Sequence, residues 1–372
     1  MPRADKKRIR SLLVLVAFGI LLAGCSERKP LKIGFVGPLT GRNADLGIAG
    51  RDAVMLAVER INDAGGINGR QVQLIIRDDR QDPATAVEVD QELIADGVVV
   101  IIGHMTSAMS VAAVPTVNGA QVLMVSPTTS SNELTGLDDH FLRVYPPNSS
   151  VARRLAAHAR NRLGLKRMAI VYDLANRGHT QGWSSHFRAA FEAMGGRIAV
   201  TSTFDSGQRT SFLKLARDII KQEPDGIFFI ANALDTATFC QQLRKLGSRI
   251  PVVVSEWSTT DELITHGGSA VEGVSFLQNF DRFSVSRPYL DFKQVYQQRL
   301  GREPTFASFF AYEAAQVVFA GLAQSSDPER LKSFIISQGK FSGLQGDFVI
   351  DRYGDAERLQ LLMVVKNGRF VP

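Results

Sequence analysis

Segments with strand character and segments of helical period alternate along most of this chain, in two successive sets. That order restricts the fold more than any composition value does. Leu31–Gly37 reads as a mostly apolar strand ending at Gly37-Pro38, and Ile48–Ala64 carries apolar residues at helical spacing before Gly65-Gly66, where glycine supplies a left-handed stop. Gln71–Arg77 alternates like a strand, Pro83–Ala95 opens on a proline suited to a first helical turn, and Val98–Ile102 is a continuous β-branched run. Such a run is buried on both faces, as in a parallel sheet. Thr106–Val117 and Gln121–Val125 repeat the helix and the strand.

The pattern pauses at Tyr145-Pro146-Pro147-Asn148 and begins again. Helical spacing over Ser150–Leu163, His179–Met194, Thr210–Gln222 and Asp235–Leu246 is interleaved with strand patterns at Arg167–Tyr172, Arg197–Phe204, Gly226–Ile230 and Pro251–Val254. Two sets of βα units predict an α/β fold of two lobes, each a mostly parallel sheet with helices on both faces. The tail differs, with helices expected at Pro288–Leu300, Phe306–Ala323 and Pro328–Ser337, then strands at Gly346–Ile350 and Leu359–Val365. A length of 372 residues also favours two domains over one.

At the N-terminus, Arg3, Lys6, Lys7, Arg8 and Arg10 precede an apolar run, Leu12 to Ala23, that closes in Leu22-Ala23-Gly24-Cys25. This has the layout of an export signal whose cleavage leaves Cys25 as the lipidated first residue, so residues 1–24 are a lipoprotein signal peptide and 25–30 a lipid-anchored spacer. The run is too short for a transmembrane span, which needs about 20 apolar residues. Five bases and one acid lie in residues 1–24, so the formal charge of +6 falls to +2 on their removal. A nearly neutral domain is a poor candidate for nucleic-acid binding. Cys25 and Cys240 are the two cysteines; once Cys25 is lipidated, Cys240 has no intramolecular partner and reads as a small buried hydrophobe.

Candidate site residues cluster where strands give way to helices. Thr106-Ser107 follows one buried strand, and Thr128-Thr129-Ser130-Ser131-Asn132-Glu133 occupies the same place one unit later. Both offer hydroxyls and unpaired backbone N–H groups at the carboxyl end of a parallel strand, where open α/β sheets bind ligands and helix N-termini favour anions. The plainer alternative is that Ser107 and Ser130 are helix caps, since Ser130 to Glu133 also fits a capping box. Glu256 follows the strand Pro251–Ser255. It is either solvated at a loop or aimed into a cleft to meet a cation.

Motifs of the common α/β enzymes are missing. Gly34-Phe35-Val36-Gly37 lacks the spacing of a dinucleotide loop, and the sequence has no GxSxG, GxxxxGK[ST] or HExxH. Its six histidines are scattered, no metal-ligand set is evident, and His104, beside the first hydroxyl loop, has no paired nucleophile and reads as a structural histidine. A binding protein without cofactor is expected rather than an enzyme.

The motifs Ile33-Gly34-Phe35-Val36-Gly37-Pro38-Leu39-Thr40-Gly41, Ile61-Asn62-Asp63-Ala64-Gly65-Gly66-Ile67-Asn68-Gly69, Asp78-Asp79, Ile102-Gly103-His104, Met124-Val125-Ser126-Pro127, Tyr312-Glu313-Ala314-Ala315 and Gly346-Asp347-Phe348 occur in that order. Together they resemble the type I periplasmic binding proteins, in particular the leucine/isoleucine/valine-binding receptors of ABC transporters. The resemblance implies three crossings between lobes, near Tyr145–Asn148, Phe276–Asn279 and Asp351–Gly354, with residues 31–146 and 280–352 in one lobe and 147–279 and 353–372 in the other. It implies a ligand held between the lobes, with Ser107, Thr128 and Ser130 gripping an α-carboxylate and Glu256 pairing with an ammonium. On that basis Glu256→Ala is expected to weaken ligand binding at least about tenfold.

Positions that often carry aromatics in the family match Leu46 and, within a residue or so, Arg177. Phe310 keeps an aromatic in the tail, and Trp257 adds another. Arg177 either points inward, to pair an acidic or amide group of the ligand, or lies at the solvated rim. The family's usual disulfide positions match Gln81 and Thr106, so that bridge is absent. The function so implied is a lipid-anchored receptor on the outer face of a membrane that delivers an amino acid or related polar solute to an ABC permease and its ATPase. An amide- or amino-acid-sensing lipoprotein that signals is the alternative on the same fold.

Overall fold

The computed structural model describes residues 29–325 and 327–372. The signal peptide, Cys25 and most of the spacer lie outside them. In the first sheet, β1 (Leu31–Gly37), β2 (Val72–Asp78), β3 (Val100–Ile102), β4 (Leu123–Ser126) and β5 (Phe141–Arg143) run parallel in the order β2-β1-β3-β4-β5. The second sheet draws on β6 (Arg167–Asp173), β7 (Arg197–Phe204), β8 (Gly226–Ile230), β9 (Val252–Val254) and β10 (Ser275–Gln278). These five are parallel in the order β10-β9-β8-β6-β7.

The tail divides between the two. Strands β11 (Lys340–Gly343), β12 (Gly346–Ile350) and β13 (Ala356–Glu357) form a small antiparallel sheet, whereas β14 (Leu361–Lys366) and β15 (Arg369–Val371) extend the second sheet antiparallel beyond β10. The result is two α/β lobes with helices on both faces.

Strand patterns of continuous apolar residues correspond to strands buried throughout, as in Val100–Ile102 and Gly226–Ile230. Helix Phe306–Gln324 is buried almost all round and packs against helix Ala44–Asp63 over the first sheet. Its length and hydropathy would also suit a membrane span. Burial on every side instead marks it as a core helix. Strands β5, β10, β11, β13 and β15, two to four residues each, were not among the expected elements.

The chain passes from the first sheet to the second through Tyr145–Asn148, returns to helices over the first sheet after β10, and passes back between β13 and β14. Buried ion pairs pin the last passage. Arg143 donates to Asp355 Oδ1 from Nε (2.8 Å) and Nη2 (2.5 Å), and from Nη1 to the Ser131 carbonyl (2.7 Å). Arg358 pairs with Glu313 at 2.6 Å, donates to the Val144 carbonyl at 3.0 Å and lies 3.5 Å over the ring of Phe348. Each guanidinium thereby ties the crossing to the end of β5 or to the core helix.

Thr106 Oγ1 donates to Gln81 Oε1 at 3.2 Å, so a hydrogen bond joins the two loops where the resemblance implied a lost disulfide. Cys240 is fully buried, and burial pushes its thiol up to about 12.

A candidate ligand cavity between the two sheets

The carboxyl ends of β1, β3 and β4 face those of β6 and β9 across a narrow cavity of about 20 Å³. From the first side come Leu46, Met105, Thr106, Ser107, Thr128, Tyr145 and Phe306; from the second come Asn176, His179, Glu256 and Trp257. Open α/β sheets place ligands at these strand ends.

Local structure explains how several of these groups arrive there. Helix Ala44–Asp63 starts against the loop after β1, and a Cβ on Gly47 would sit 1.9 Å from the Pro38 carbonyl oxygen. Only glycine permits that approach, which brings Leu46 to the cavity wall. Glu256 and Trp257 belong to a single helical turn, Glu256–Ser258, directly after β9, and both are buried. Their turn is tied down through Ser258, whose hydroxyl donates to the Ala231 carbonyl at 2.9 Å.

The hydroxyl loops are knitted together. Ser107 Oγ accepts from the backbone N–H of Ser130 (3.1 Å) and of Ser131 (3.2 Å), and Thr128 Oγ1 donates to the Met105 carbonyl at 2.6 Å. Ser130 is not in the cavity wall, and its Oγ lies 2.8 Å from Nδ1 of His179 on the opposite side. Neither serine is a helix cap here. Thr106 occupies the cap position of helix Ser107–Ala120, and Ser131 caps the short turn Asn132–Leu134.

Besides Ser130, two more expected residues stand outside the cavity wall. Arg177 opens helix Arg177–Ala193, donates to Gln181 Oε1 at 2.5 Å and lines a separate groove with Ala108, Asn132 and His186. Its neighbours Asn176 and His179 face the cavity in its place, because positions three apart share a helix face and the residue one step along is turned by about 100°. Phe310 is fully buried behind Tyr145, with ring centroids 4.8 Å apart, and braces the wall without forming it. We expect Arg177→Ala to leave ligand ranking in a thermal-shift panel unchanged; a reordered ranking would return Arg177 to the cleft.

Asn176, His179, Tyr145, Met105 and Phe306 were not among the expected site residues. The signal for Asn176 was present: an Asn-Arg-Gly sequence at the start of a helical pattern is a cap, and caps of βα units stand at strand ends. Asn176 Oδ1 accepts from the backbone N–H of Ala108 at 3.0 Å, capping the helix of the other lobe instead of its own. Gly178 permits that crossing, for its Cβ would lie 3.3 Å from Ala108 N and the Ser107 carbonyl oxygen. An ion pair between Arg42 and Asp235 also spans the two sides. Burial lifts the Asp235 carboxyl to about 6, although Arg42 opposes the rise.

Charge within the cavity is one-sided. Burial raises the Glu256 carboxyl to about 7, countered in part by its own backbone N–H, the Trp183 indole and the Tyr145 hydroxyl. Glu256 Oε2 nonetheless has no well-formed hydrogen bond among the described residues. Burial also depresses His179, to about 3, so its ring is neutral. Beneath the Met105–Ser107 loop, His104 is fully buried between two acids, with Nδ1 2.8 Å from Asp79 Oδ2 and Nε2 3.3 Å from Asp90 Oδ1. Burial alone would lower its pKa, but Asp90 and Asp79 hold it at about 10. His104 is therefore a structural cation whose carbonyl accepts from Ser126 Oγ at 2.8 Å.

Comparison with known proteins places this cavity in context. The family described as periplasmic binding protein matches residues 30–369. A leucine-, isoleucine-, valine-, threonine- and alanine-binding protein of Pseudomonas aeruginosa is 26% identical over 358 residues, covering 94% of this chain and 93% of its own. The Leu/Ile/Val-binding protein of Escherichia coli is 25% identical over 347 residues, covering 90% and 92%. Among solved structures, a leucine-binding protein from Thermotoga maritima superposes with a TM-score of 0.85 at 26% identity, covering 92% of this chain and 97% of its own. Full-length agreement in both sequence and fold, around a cavity at the strand ends of two facing sheets, shows that this chain belongs to the type I periplasmic binding proteins, in the group that resembles Leu/Ile/Val-binding proteins.

Proposed function

We propose that the protein is the solute receptor of an ABC importer, binding an α-amino acid between its lobes and performing no chemistry on it. One observation carries this reading: Glu256, buried and with an unpartnered carboxylate oxygen, shares a cavity with the Ser107 and Thr128 loops on the facing sheet. Helix Ser107–Ala120 directs its N-terminal amides and positive dipole end toward the same cavity. A zwitterion has both complementary ends. Its ammonium pairs with Glu256 on one lobe, its carboxylate meets the hydroxyl loops on the other, and charge pairing is complete only when the lobes are together.

The two units that would move are residues 31–146 with 280–357, and 147–279 with 361–372, the last passage falling between β13 and β14 and not at 352/353 as expected. The contacts Asn176 to Ala108 and Ser130 to His179 form and break with that motion. Cys25 supplies the lipid anchor that keeps the receptor at the periplasmic or extracellular face, near a permease and its ATPase. The relatives in Pseudomonas aeruginosa and Escherichia coli carry names that fit amino-acid capture.

The direct test is mass spectrometry of the solute released on unfolding the purified protein, followed by a thermal-shift screen of metabolites. An amino acid in the released fraction that also raises the melting temperature supports the proposal. A screen in which no amino acid shifts melting, with none released, removes it.

A further inference from the structure

At the cavity, Glu256 Oε2 and Nε2 of His179 are buried without a hydrogen-bond partner among the described residues, as is the Tyr145 hydroxyl. The first belongs to the ammonium site described above. The second is an additional anchor. The His179 ring is 4% exposed, is tied through Nδ1 to Ser130 Oγ at 2.8 Å, and is flanked edge-on by Trp257 and Trp183 at centroid distances of 5.7 and 6.3 Å. Those contacts fix its orientation and leave one ring nitrogen over. A buried hydrogen-bonding atom without a partner costs about 1–3 kcal/mol. The neighbouring walls, Leu46, Met105, Trp257 and Phe306, are largely apolar, and a few polar groups set in such walls are what orient a small ligand.

We propose that His179 is a specificity-determining residue whose free ring nitrogen hydrogen-bonds an uncharged polar group on the ligand side chain, so that an amino acid with a hydroxyl or carboxamide is bound in preference to its hydrocarbon isostere. The proposal rests on the amino-acid reading above and refines it. An uncharged partner is indicated because the imidazole is itself neutral, kept so by burial, and offers an acidic side chain no countercharge. A hydroxyl or a carboxamide can both donate and accept, so either tautomer of His179 is satisfied. A methyl group in the same place leaves the nitrogen unpaired, and sites built to bond a polar group discriminate strongly against analogues that lack it.

Threonine and valine differ by a hydroxyl in place of a methyl and so isolate this bond. Calorimetry on the wild-type protein is expected to give threonine at least about tenfold tighter binding than valine. In His179→Phe, which keeps a flat ring between the two tryptophans, the ratio is expected to fall below roughly threefold, the loss of the Ser130 contact being common to all three ligands. His179→Gln, which restores a hydrogen-bonding group, is expected to recover the preference, a result that a purely structural role for the ring does not predict. His179→Leu serves in the same assay should the phenylalanine variant fail to fold.

Valine bound as tightly as threonine by the wild type overturns the proposal, as does a ratio that persists without a hydrogen-bonding side chain at residue 179. Either result leaves the amino-acid site standing if alanine still binds. Failure of alanine, threonine and valine alike to bind overturns the amino-acid reading and this refinement with it.

Discussion

Replacing Glu256 with glutamine is expected to weaken amino-acid binding at least thirtyfold, about 2 kcal/mol. The carboxylate is 4% exposed, and the residues that share its cavity bring no second acid to it. Without its charge, the ligand ammonium would be buried with only neutral acceptors, and losing one member of a buried charge pair costs about 2–5 kcal/mol. Glutamine has nearly the same shape and no charge to desolvate, so the fold is expected to survive.

The same group sets a pH dependence. Burial holds the carboxyl near 7 in the ligand-free protein, and a bound ammonium favours the ionised form. Binding therefore releases a proton below about pH 7. Affinity should fall about tenfold per unit as pH drops below that point and level off above it. For folding the sign is reversed. An acid whose folded pKa is raised from 4.5 to about 7 favours the protonated protein, so its contribution weakens stability as pH rises between those values. Calorimetry from about pH 5 to 8 on the wild type and Glu256→Gln tests both points. A flat wild-type affinity, or a glutamine variant that binds as well as wild type, would remove Glu256 from the ammonium site.

His104→Leu is expected to destabilise the protein by about 3 kcal/mol or more, since breaking a buried charge cluster by removing one partner costs about 3–5 kcal/mol. His104, Asp79 and Asp90 are all fully buried, and leucine would leave both carboxylates without the cation between them. Because His104 is held at about 10, above its ordinary 6.5, its stabilising charge is fully present below about pH 6.5 and is lost as pH rises through about 10. Urea unfolding of the two proteins should therefore show a gap that narrows toward high pH. Equal midpoints at neutral pH would mean that the cluster is not ionised as described.

Much of the architecture was legible in the residues. Strands such as Arg197–Phe204 and Gly226–Ile230, and helix Pro83–Ala95, have the bounds that periodicity and capping predict. They are long, regular, or punctuated by proline and glycine, and such signals are local. The short strands β5, β10, β11, β13 and β15 were not, because two to four residues outside a continuous apolar run carry no readable period; they exist through their pairing with neighbouring strands. At the candidate site, Glu256, Ser107, Thr128, Leu46 and Trp257 line one cavity. Arg177 differs because one step along a helix changes the face, a difference smaller than any alignment across a loop resolves.

The amino-acid sequence by itself determined the α/β class, the two sets of units and the chemistry available at each strand end. All of these depend on residue type and on spacing within a few turns of chain. Tertiary structure alone decided which groups meet across the cavity: Asn176 with the Ala108 amide, His179 with Ser130, and Arg42 with Asp235. It also set the charge state of the site, raising Glu256 and lowering His179 by burial while two acids hold His104 protonated. The physical reason is that desolvation and Coulomb interactions depend on what surrounds a group in space, and neighbours brought from 25 to about 200 residues away leave no mark on the local pattern.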